Sequence, residues 1–151
     1  TARARALGAV SSNFITPNGL HHPDHYTTPR DLALIARAAM QLPAFRELVV
    51  QRSFPWDDLN GARPTLQNRN RFLDSYPGCI GLKTGFTSRA GKVFVSSALR
   101  QGTELIAVVL QSNNYAVDKD SRALLDYGFA ILSSIRKDHR LALDTPASPS
   151  L

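Results

Sequence analysis

Three apolar segments that follow one another between residues 80 and 111 constrain the fold of this chain most. They run from Ile80 to Thr87, from Lys92 to Leu99 and from Leu105 to Gln111. Each has the length and the β-branched content that are typical of a strand. The connection at residues 100–102 is short enough to join the last two segments as a hairpin. The pattern therefore predicts an antiparallel meander of three strands.

Helical patterns precede and follow these strands. Thr28 can cap a helix, Pro29 suits its first position and Asp31 occupies the return position of a capping box. We expect a shorter helix over residues 44–50 and a last helix over residues 118–135. Helices first, then a meander, then a final helix predict an α+β fold with an antiparallel sheet.

Composition excludes several classes of protein. With 151 residues and 43% apolar residues, the chain can bury the core of one domain. No apolar run approaches the roughly twenty residues of a membrane helix. The net charge of +6 suits an anionic polymer, but no zinc-finger, RNP or KH pattern accompanies it, so we expect no nucleic-acid partner. Cys79 is the only cysteine, which excludes an internal disulfide.

The two ends of the sequence carry different signals. The opening Thr-Ala-Arg-Ala-Arg-Ala-Leu predicts a helix that stops at Gly8. It has neither an initiator Met nor a signal-peptide pattern, so we expect the chain to be a piece of a longer protein. We predict a partial catalytic domain over residues 1–135. Residues 136–151 are charged and then rich in Pro and Ser, which predicts a disordered tail.

The triplet Lys83-Thr84-Gly85 lies within the first predicted strand. Lys83 offers a fixed positive charge and Thr84 offers a hydroxyl. Gly85 lets another backbone approach closely because it has no Cβ. Backbone N–H groups just beyond Gly85 could point at an acyl oxygen, as an oxyanion hole requires. The set favours an extended peptide that lies along the strand with its carboxylate near Lys83 and Thr84.

The flanks of the triplet make this signal specific, since three common residues also meet by chance. The chain resembles the low-molecular-mass penicillin-binding proteins, the serine D-Ala-D-Ala carboxypeptidases of the S11 peptidase family, in order from about Arg5 to Phe129. The resemblance rests on Asn18-Gly19-Leu20, His25 to Ala33, Asn68 to Leu73, Gly78 to Gly81, Phe86 to Gly91 and Leu124 to Phe129.

This resemblance implies a β-lactamase/transpeptidase-like fold, an antiparallel sheet flanked by helices that is incomplete in this chain. It implies removal of the terminal D-alanine from peptidoglycan stem peptides ending in D-Ala-D-Ala, through an acyl-serine intermediate. Penicillins and other β-lactams would acylate the same serine as inhibitors. The implied location is extracytoplasmic, at the bacterial cell envelope, with membrane association only through segments outside this chain. No cofactor is implied.

Carried over by motif, the resemblance assigns five residues. Lys83 and Thr84 would hold the substrate carboxylate. Gly85 would leave room for the substrate backbone, and the N–H of Phe86 would form half of the oxyanion hole. Thr87 faces the same side as Gly85 by strand alternation and could line the site.

The family has two further motifs, Ser-x-x-Lys and Ser-x-Asn, which supply the nucleophile, its base and a proton-shuttling serine. Residues 134–137 and 11–13 match them formally. Lys137 is followed by charged residues, so we expect it to be solvated and protonated and thus unable to accept a proton from Ser134. Residues 11–13 lie in the approach to the Asn-Gly-Leu turn, where the family has no Ser-x-Asn motif. The nucleophile and its base are therefore predicted outside this chain.

Other functions remain open at this level. The same fold could serve a β-lactamase or related serine hydrolase, or a non-catalytic remnant that binds peptide or wall polymer. His21, His22, Asp24 and His25 include zinc-ligand types, but no fourth ligand site is evident, so we expect no metal. We also expect Trp56 to be a partly buried anchor. The side chains of Asn68 and Asn70 are expected to hold the loop before residue 80.

Overall fold

A computed structural model describes residues 1–58 and 60–144, and it has the predicted α+β architecture. The elements in chain order are α1 (Ala2–Ala6), α2 (Pro29–Ala39), α3 (Pro43–Val49), β1 (Ser53–Pro55), β2 (Thr65–Gln67), α4 (Phe72–Ser75), β3 (Cys79–Thr87), β4 (Gly91–Arg100), β5 (Thr103–Ser112) and α5 (Val117–Asp144). The three predicted strands and the predicted helices are all present, within a few residues of their expected bounds except at the end of the last helix.

The main sheet is antiparallel and has the order β3-β4-β5. Arg100 pairs with Thr103 across the predicted hairpin. Strand β4 lies in the middle, so both of its edges are hydrogen-bonded, whereas β3 and β5 each have one edge without a strand partner among the described residues. A bulge between Cys79 and Gly81 shifts the register at the start of β3.

Two apolar clusters cover opposite faces of this sheet. The first joins α4 and α5 to the sheet and consists of Phe72, Tyr76, Phe94, Ala98, Ala107, Val109, Val117 and Leu125. The second joins α2 and α3 to the sheet through Ala36, Met40 and Leu82, with Phe45, Val49, Val95 and Ile106 packed around them. Cys79 packs half-buried against the first cluster, and burial raises the pKa of its thiol. The sheet is therefore anchored from both sides by buried apolar area.

The start of α2 is tied to the segment that precedes it. Thr28 caps the helix as predicted, because its hydroxyl accepts the N–H of Asp31 at 3.2 Å. Asp31 itself is 1% exposed. Its carboxylate accepts the N–H of Ser11 at 2.8 Å and the hydroxyl of Ser12 at 2.7 Å. The side chain thus secures a distant segment rather than closing the predicted capping box.

The last helix is longer than the sequence pattern predicts. α5 runs to Asp144, so the boundary of the predicted disordered tail at residue 136 is wrong. Residues 136–144 contain strong helix formers such as Arg, Lys, Leu and Ala, and the first proline after them is at position 146. The rest of the predicted tail, residues 145–151, lies outside the described residues. Among the described helices, none is both long and apolar enough to cross a membrane.

The expectation that Trp56 is a partly buried anchor is wrong. Its side chain follows β1 and is 51% exposed. In the described part of the chain, strands β1 and β2 pair only with each other, and all of their residues are exposed. Trp56 therefore directly follows a strand that contributes no buried residue, and it is exposed with it.

Tyr76 joins α4, β4 and α5 in one buried cluster. Its ring stacks on Phe72 with centroids 4.7 Å apart, and its hydroxyl donates to Asp126 at 2.7 Å. The guanidinium groups of Arg100 and Arg122 lie 4.5 and 5.0 Å from the centre of the ring. Burial, followed by the hydrogen bond to Asp126, raises the pKa of Tyr76 to about 12.

We predict that Tyr76 makes the stability of the protein fall in alkaline solution. Because an unfolded tyrosine ionises near pH 10, its stabilising effect is complete below that pH and is lost as pH rises toward 12. Between pH 9 and pH 11 this single group should lower the free energy of unfolding by about 1 kcal/mol. Urea unfolding of the wild type and of Tyr76→Phe at both pH values measures the difference.

Tyr115→Phe is the matched control, since Tyr115 is 95% exposed. This variant should keep the alkaline loss of the wild type, whereas Tyr76→Phe should lose about 1 kcal/mol less than the wild type between the two pH values. Identical pH dependence in all three proteins would contradict the role given to Tyr76.

Candidate active-site strand

The five predicted site residues lie consecutively on β3, from Lys83 to Thr87. Their partners across the ladder belong to β4, where Lys83 pairs with Val95 and Thr87 pairs with Gly91. The opposite edge of β3 has no strand partner in the part of the chain that the structure describes. A free strand edge can accept an extended peptide as an additional strand, because its backbone donors and acceptors are unpaired.

Lys83 and Thr84 place a positive charge and a hydroxyl at this edge. Lys83 is exposed, and its ammonium donates to the backbone carbonyl of Thr84. The lysine side chain therefore lies along its own strand. An ammonium has three donors and uses one of them here, so a carboxylate could bind at Lys83 without breaking a buried interaction.

Gly85 is required by its neighbour on β4. A Cβ at this position would lie 2.7 Å from Cγ2 of Val93, a distance that real Cβ atoms essentially never show. Val93 is stiff at χ1 and cannot easily move its methyl group aside. Gly85 therefore serves the packing of the sheet, and the same missing side chain leaves room for a peptide at the edge.

Phe86 and Thr87 complete the strand. Phe86 is 61% exposed, and the ammonium of Lys92 lies 4.8 Å from the centre of its ring. The hydroxyl of Thr87 accepts the N–H of Ala90 at 3.1 Å and so helps to form the β3–β4 turn. Gly91 closes that turn with φ +67°, and a Cβ there would meet the carbonyl oxygen of Ser112 at 2.8 Å. Thr87 thus has a turn role that the sequence did not indicate.

The histidines next to this turn have separate partners. Nε2 of His21 lies 2.8 Å from the guanidinium of Arg89, while Nδ1 of His22 is 3.8 Å from the carboxylate of Asp24. Nδ1 of His25 accepts the backbone N–H of Thr16 at 3.3 Å. Within residues 1–58 and 60–144, no three His, Cys, Asp or Glu side chains are grouped to hold a metal ion.

The two formal motif matches lie in structural roles. Ser134 is exposed on α5 and donates to the carbonyl of Ala130 in the preceding turn, and Lys137 is exposed, as predicted. In residues 11–13 the motif serine is Ser11, which is exposed and whose backbone N–H donates to the carboxylate of Asp31 at 2.8 Å. Neither serine hydroxyl has a lysine side chain as a hydrogen-bond partner among the described residues.

The prediction that asparagines hold the loop before β3 is confirmed. Oδ1 of Asn70 accepts the N–H of Phe72 at 3.2 Å, and Oδ1 of Asn68 accepts the N–H of Asn70 at 2.9 Å. Nδ2 of Asn68 donates to the carbonyl of Gln51 at 2.8 Å.

The site is an open edge rather than a cavity. A cavity of about 420 Å3 lies instead between α2 and β5, beside Leu34, Met40 and Ile106, and none of residues 83–87 lines it.

The contact of His21 with Arg89 was missed by sequence reasoning. The two residues are 68 positions apart, and neither stands in a motif that would indicate the other.

Comparison with known families gives one match to a family model. Residues 1–114 match the model of peptidase family S11, which is described as D-alanyl-D-alanine carboxypeptidase. The matched region includes the whole of β3 and the loop that carries His21.

Individual relatives and solved structures agree with this match. A D-alanyl-D-alanine carboxypeptidase of Mycobacterium tuberculosis, DacB2, is 36% identical over 140 residues, which are 86% of this chain and 46% of that protein. A D-alanyl-D-alanine carboxypeptidase of Streptomyces sp. strain K15 is 33% identical over 134 residues, 85% of this chain and 46% of that protein. The crystal structure of the Streptomyces K15 DD-transpeptidase superposes with a TM-score of 0.80 at 34% identity, over 85% of this chain and 52% of that one. The chain thus spans about half the length of the curated relatives that it matches.

We predict that Gly85→Ala destabilises the protein through Val93. Overpacking of this kind costs about 1–3 kcal/mol, because the methyl group must displace a stiff neighbour. In a Val93→Ala background the same substitution should cost less than half as much, since the clashing methyl is gone. A double-mutant cycle of urea-unfolding free energies measures the coupling. Additive costs in the two backgrounds would contradict the assigned contact.

Proposed function

Because this chain belongs to peptidase family S11, the D-alanyl-D-alanine carboxypeptidases, we propose that it forms the substrate-binding edge of a serine D-Ala-D-Ala carboxypeptidase. One observation carries the proposal. Lys83-Thr84-Gly85 lies on a strand edge that is free among the described residues, inside the region that matches the family. The nucleophilic serine and its base would come from outside this chain.

Binding begins with the terminal carboxylate of the substrate. A peptide ending in D-Ala-D-Ala lies extended along the outer edge of β3, with its carboxylate at the ammonium of Lys83 and the hydroxyl of Thr84. Charge-assisted hydrogen bonds of this kind are about twice as strong as neutral ones. Gly85 presents no side chain, so the substrate backbone can come within hydrogen-bonding distance of the strand.

The acyl step needs a donor for the developing oxyanion. As the serine attacks the carbonyl between the two D-alanines, negative charge collects on its oxygen. The N–H of Phe86 is proposed as one of the two donors that bind this oxygen. Removing a single oxyanion-hole donor costs about 10²–10³ in rate in serine hydrolases, so this backbone group would matter as much as a catalytic side chain.

The two serines in the formal motif matches support a nucleophile elsewhere. Ser134 and Ser11 are both exposed, and neither has a lysine as a hydrogen-bond partner among the described residues. Activation of a serine needs a base within hydrogen-bond reach, and neither hydroxyl bonds to one that is free to accept its proton. The proposed substrate class supports a location of the whole protein outside the cytoplasm, at the bacterial cell envelope, where peptidoglycan and β-lactams are encountered.

A labelled penicillin tests this function. We predict that the full-length gene product is labelled and holds the label, whereas the 151-residue chain alone is not labelled. Rapid turnover of penicillin by the full-length product would favour a β-lactamase. Absence of label from a folded full-length product would favour a non-catalytic peptide- or wall-binding protein, and label on Ser134 of this chain would overturn the assignment of the nucleophile.

Lys83→Ala in the full-length product tests the role of the strand. It should slow acylation about 10–100-fold, because a hydrogen bond between charged groups is worth about 1.5–3 kcal/mol. Lys119→Ala is the control, since Lys119 is equally charged and lies exposed on α5. An acylation rate constant for Lys83→Ala equal to that of Lys119→Ala would contradict the anchor.

A further inference from the structure

The proposed binding mode fixes where the rest of the substrate must lie. The terminal carboxylate is at Lys83 and Thr84, and the acyl oxygen is at the N–H of Phe86. From the carboxylate toward its N-terminus, the peptide therefore follows β3 from Lys83 toward Thr87. It runs antiparallel to the strand and advances about 3.4 Å per residue. The residue that precedes the acylated D-alanine then comes beside Thr87 and the β3–β4 turn.

Two cations lie at this end of the strand, Lys92, whose ammonium is over the ring of Phe86, and Arg89. Arg89 lies in the turn directly after Thr87 and is exposed. Among the described residues it forms no ion pair with a carboxylate, whereas Arg52, Arg63 and Arg100 each do. Its charge is therefore available to a ligand.

His21 holds the guanidinium of Arg89 without neutralising it. Nε2 of His21 lies 2.8 Å from a terminal nitrogen of the guanidinium. A guanidinium has no acceptor, so it donates, and Nε2 accepts with its lone pair. An arginine has five donors, and this contact uses one of them. Orientation by a neutral partner leaves the positive charge and the remaining donors for an anion.

The loop that presents His21 is fixed by its own hydrogen bonds. The hydroxyl of Thr16 donates to the carbonyl of Leu20 at 2.9 Å, and Oδ1 of Asn18 accepts the N–H of Leu20 at 3.1 Å. Nδ2 of Asn13 donates to the carbonyl of Asp24 at 2.9 Å. His21 thus stands on a short segment whose backbone is held on both sides, so less entropy is lost when Arg89 binds a ligand.

We propose that Arg89, oriented by His21, binds a free carboxylate on the substrate residue that precedes the acylated D-alanine. The inference rests on the proposed function, because that function sets the direction of the peptide. Arg89 and His21 are then specificity residues: a carboxylate is preferred, a carboxamide is accepted less well and an ammonium is disfavoured by repulsion.

Three synthetic peptides test this preference on the full-length gene product. They end in X-D-Ala-D-Ala, where X is Glu, Gln or Lys, and release of D-alanine gives kcat/KM for each. We expect the Glu peptide to exceed the Gln peptide about tenfold, the size of one exposed charge-assisted contact. The Lys peptide should be the poorest. The preference should weaken as ionic strength rises, because the contact is solvent-exposed.

Variants then assign the preference to these residues. Arg89→Gln should bring the Glu-to-Gln ratio of kcat/KM close to one, and Arg89→Lys should restore part of the ratio. His21→Ala should give an intermediate ratio because the guanidinium loses its support. Arg136→Gln is the control for net charge, since Arg136 contacts Thr103 at the opposite end of the sheet and should leave the ratio unaltered.

The outcomes separate this inference from the function on which it rests. Hydrolysis of all three peptides with equal kcat/KM, or a Glu preference that survives in Arg89→Gln, would overturn the role of Arg89 while leaving the carboxypeptidase intact. Failure to release D-alanine from any of the peptides by a folded protein would overturn both.

Discussion

Within residues 1–58 and 60–144, strand β3 is paired on one side only, and this asymmetry decides what the chain can offer a ligand. Its inner edge forms a ladder with β4 from Cys79 to Thr87. Its outer edge has no strand partner among the described residues, so its backbone groups can bind an extended peptide. Pairing with β4 also restricts the side chains that β3 can have, since a Cβ at position 85 would clash with Val93. Lys83 and Thr84 are thereby presented at a fixed place on a rigid edge.

The core determines where that edge lies. Phe94, the partner of Thr84 across the ladder, is 1% exposed in the cluster formed with α4 and α5. Val95, the partner of Lys83, packs against the cluster formed with α2 and α3. Thr84 and Lys83 are therefore each paired with a residue whose side chain packs in a core cluster. Mobility of β3 would require disruption of packing on both faces of the sheet, which makes the strand suitable for binding a substrate in one geometry.

Much of this arrangement could be predicted from local sequence. The apolar segments and the short connection between the last two of them predicted β3, β4 and β5, and the cap at Thr28 predicted the start of α2. The triplet at Lys83 and its flanks predicted the candidate site residues, which all lie on β3. These features depend on residues that are close in the chain. The charged residues after Ser134 did not end the helix as predicted, because they are good helix formers and no proline follows before position 146.

Features that depend on distant residues could not be read in this way. Asp31 suits a capping box, and only the fold shows that its carboxylate instead binds Ser12. Trp56 has a large apolar side chain of the kind that often anchors a core. It nevertheless lies directly after β1, and its side chain is 51% exposed. The contact between His21 and Arg89 joins two segments that have no recognisable pattern in common. In each case the feature depends on how residues far apart in the chain are arranged in the fold, and local sequence patterns do not indicate that arrangement.

A crystal structure of the full-length gene product acylated by a penicillin would show whether β3 binds the carboxyl end of a peptide substrate. We expect the penicillin carboxylate to contact Lys83 and Thr84, the acyl oxygen to accept a hydrogen bond from the N–H of Phe86, and the acylated serine to lie outside this chain. A penicillin bound covalently with its carboxylate away from Lys83 and Thr84, or an ester bond to a serine within these 151 residues, would contradict this expectation.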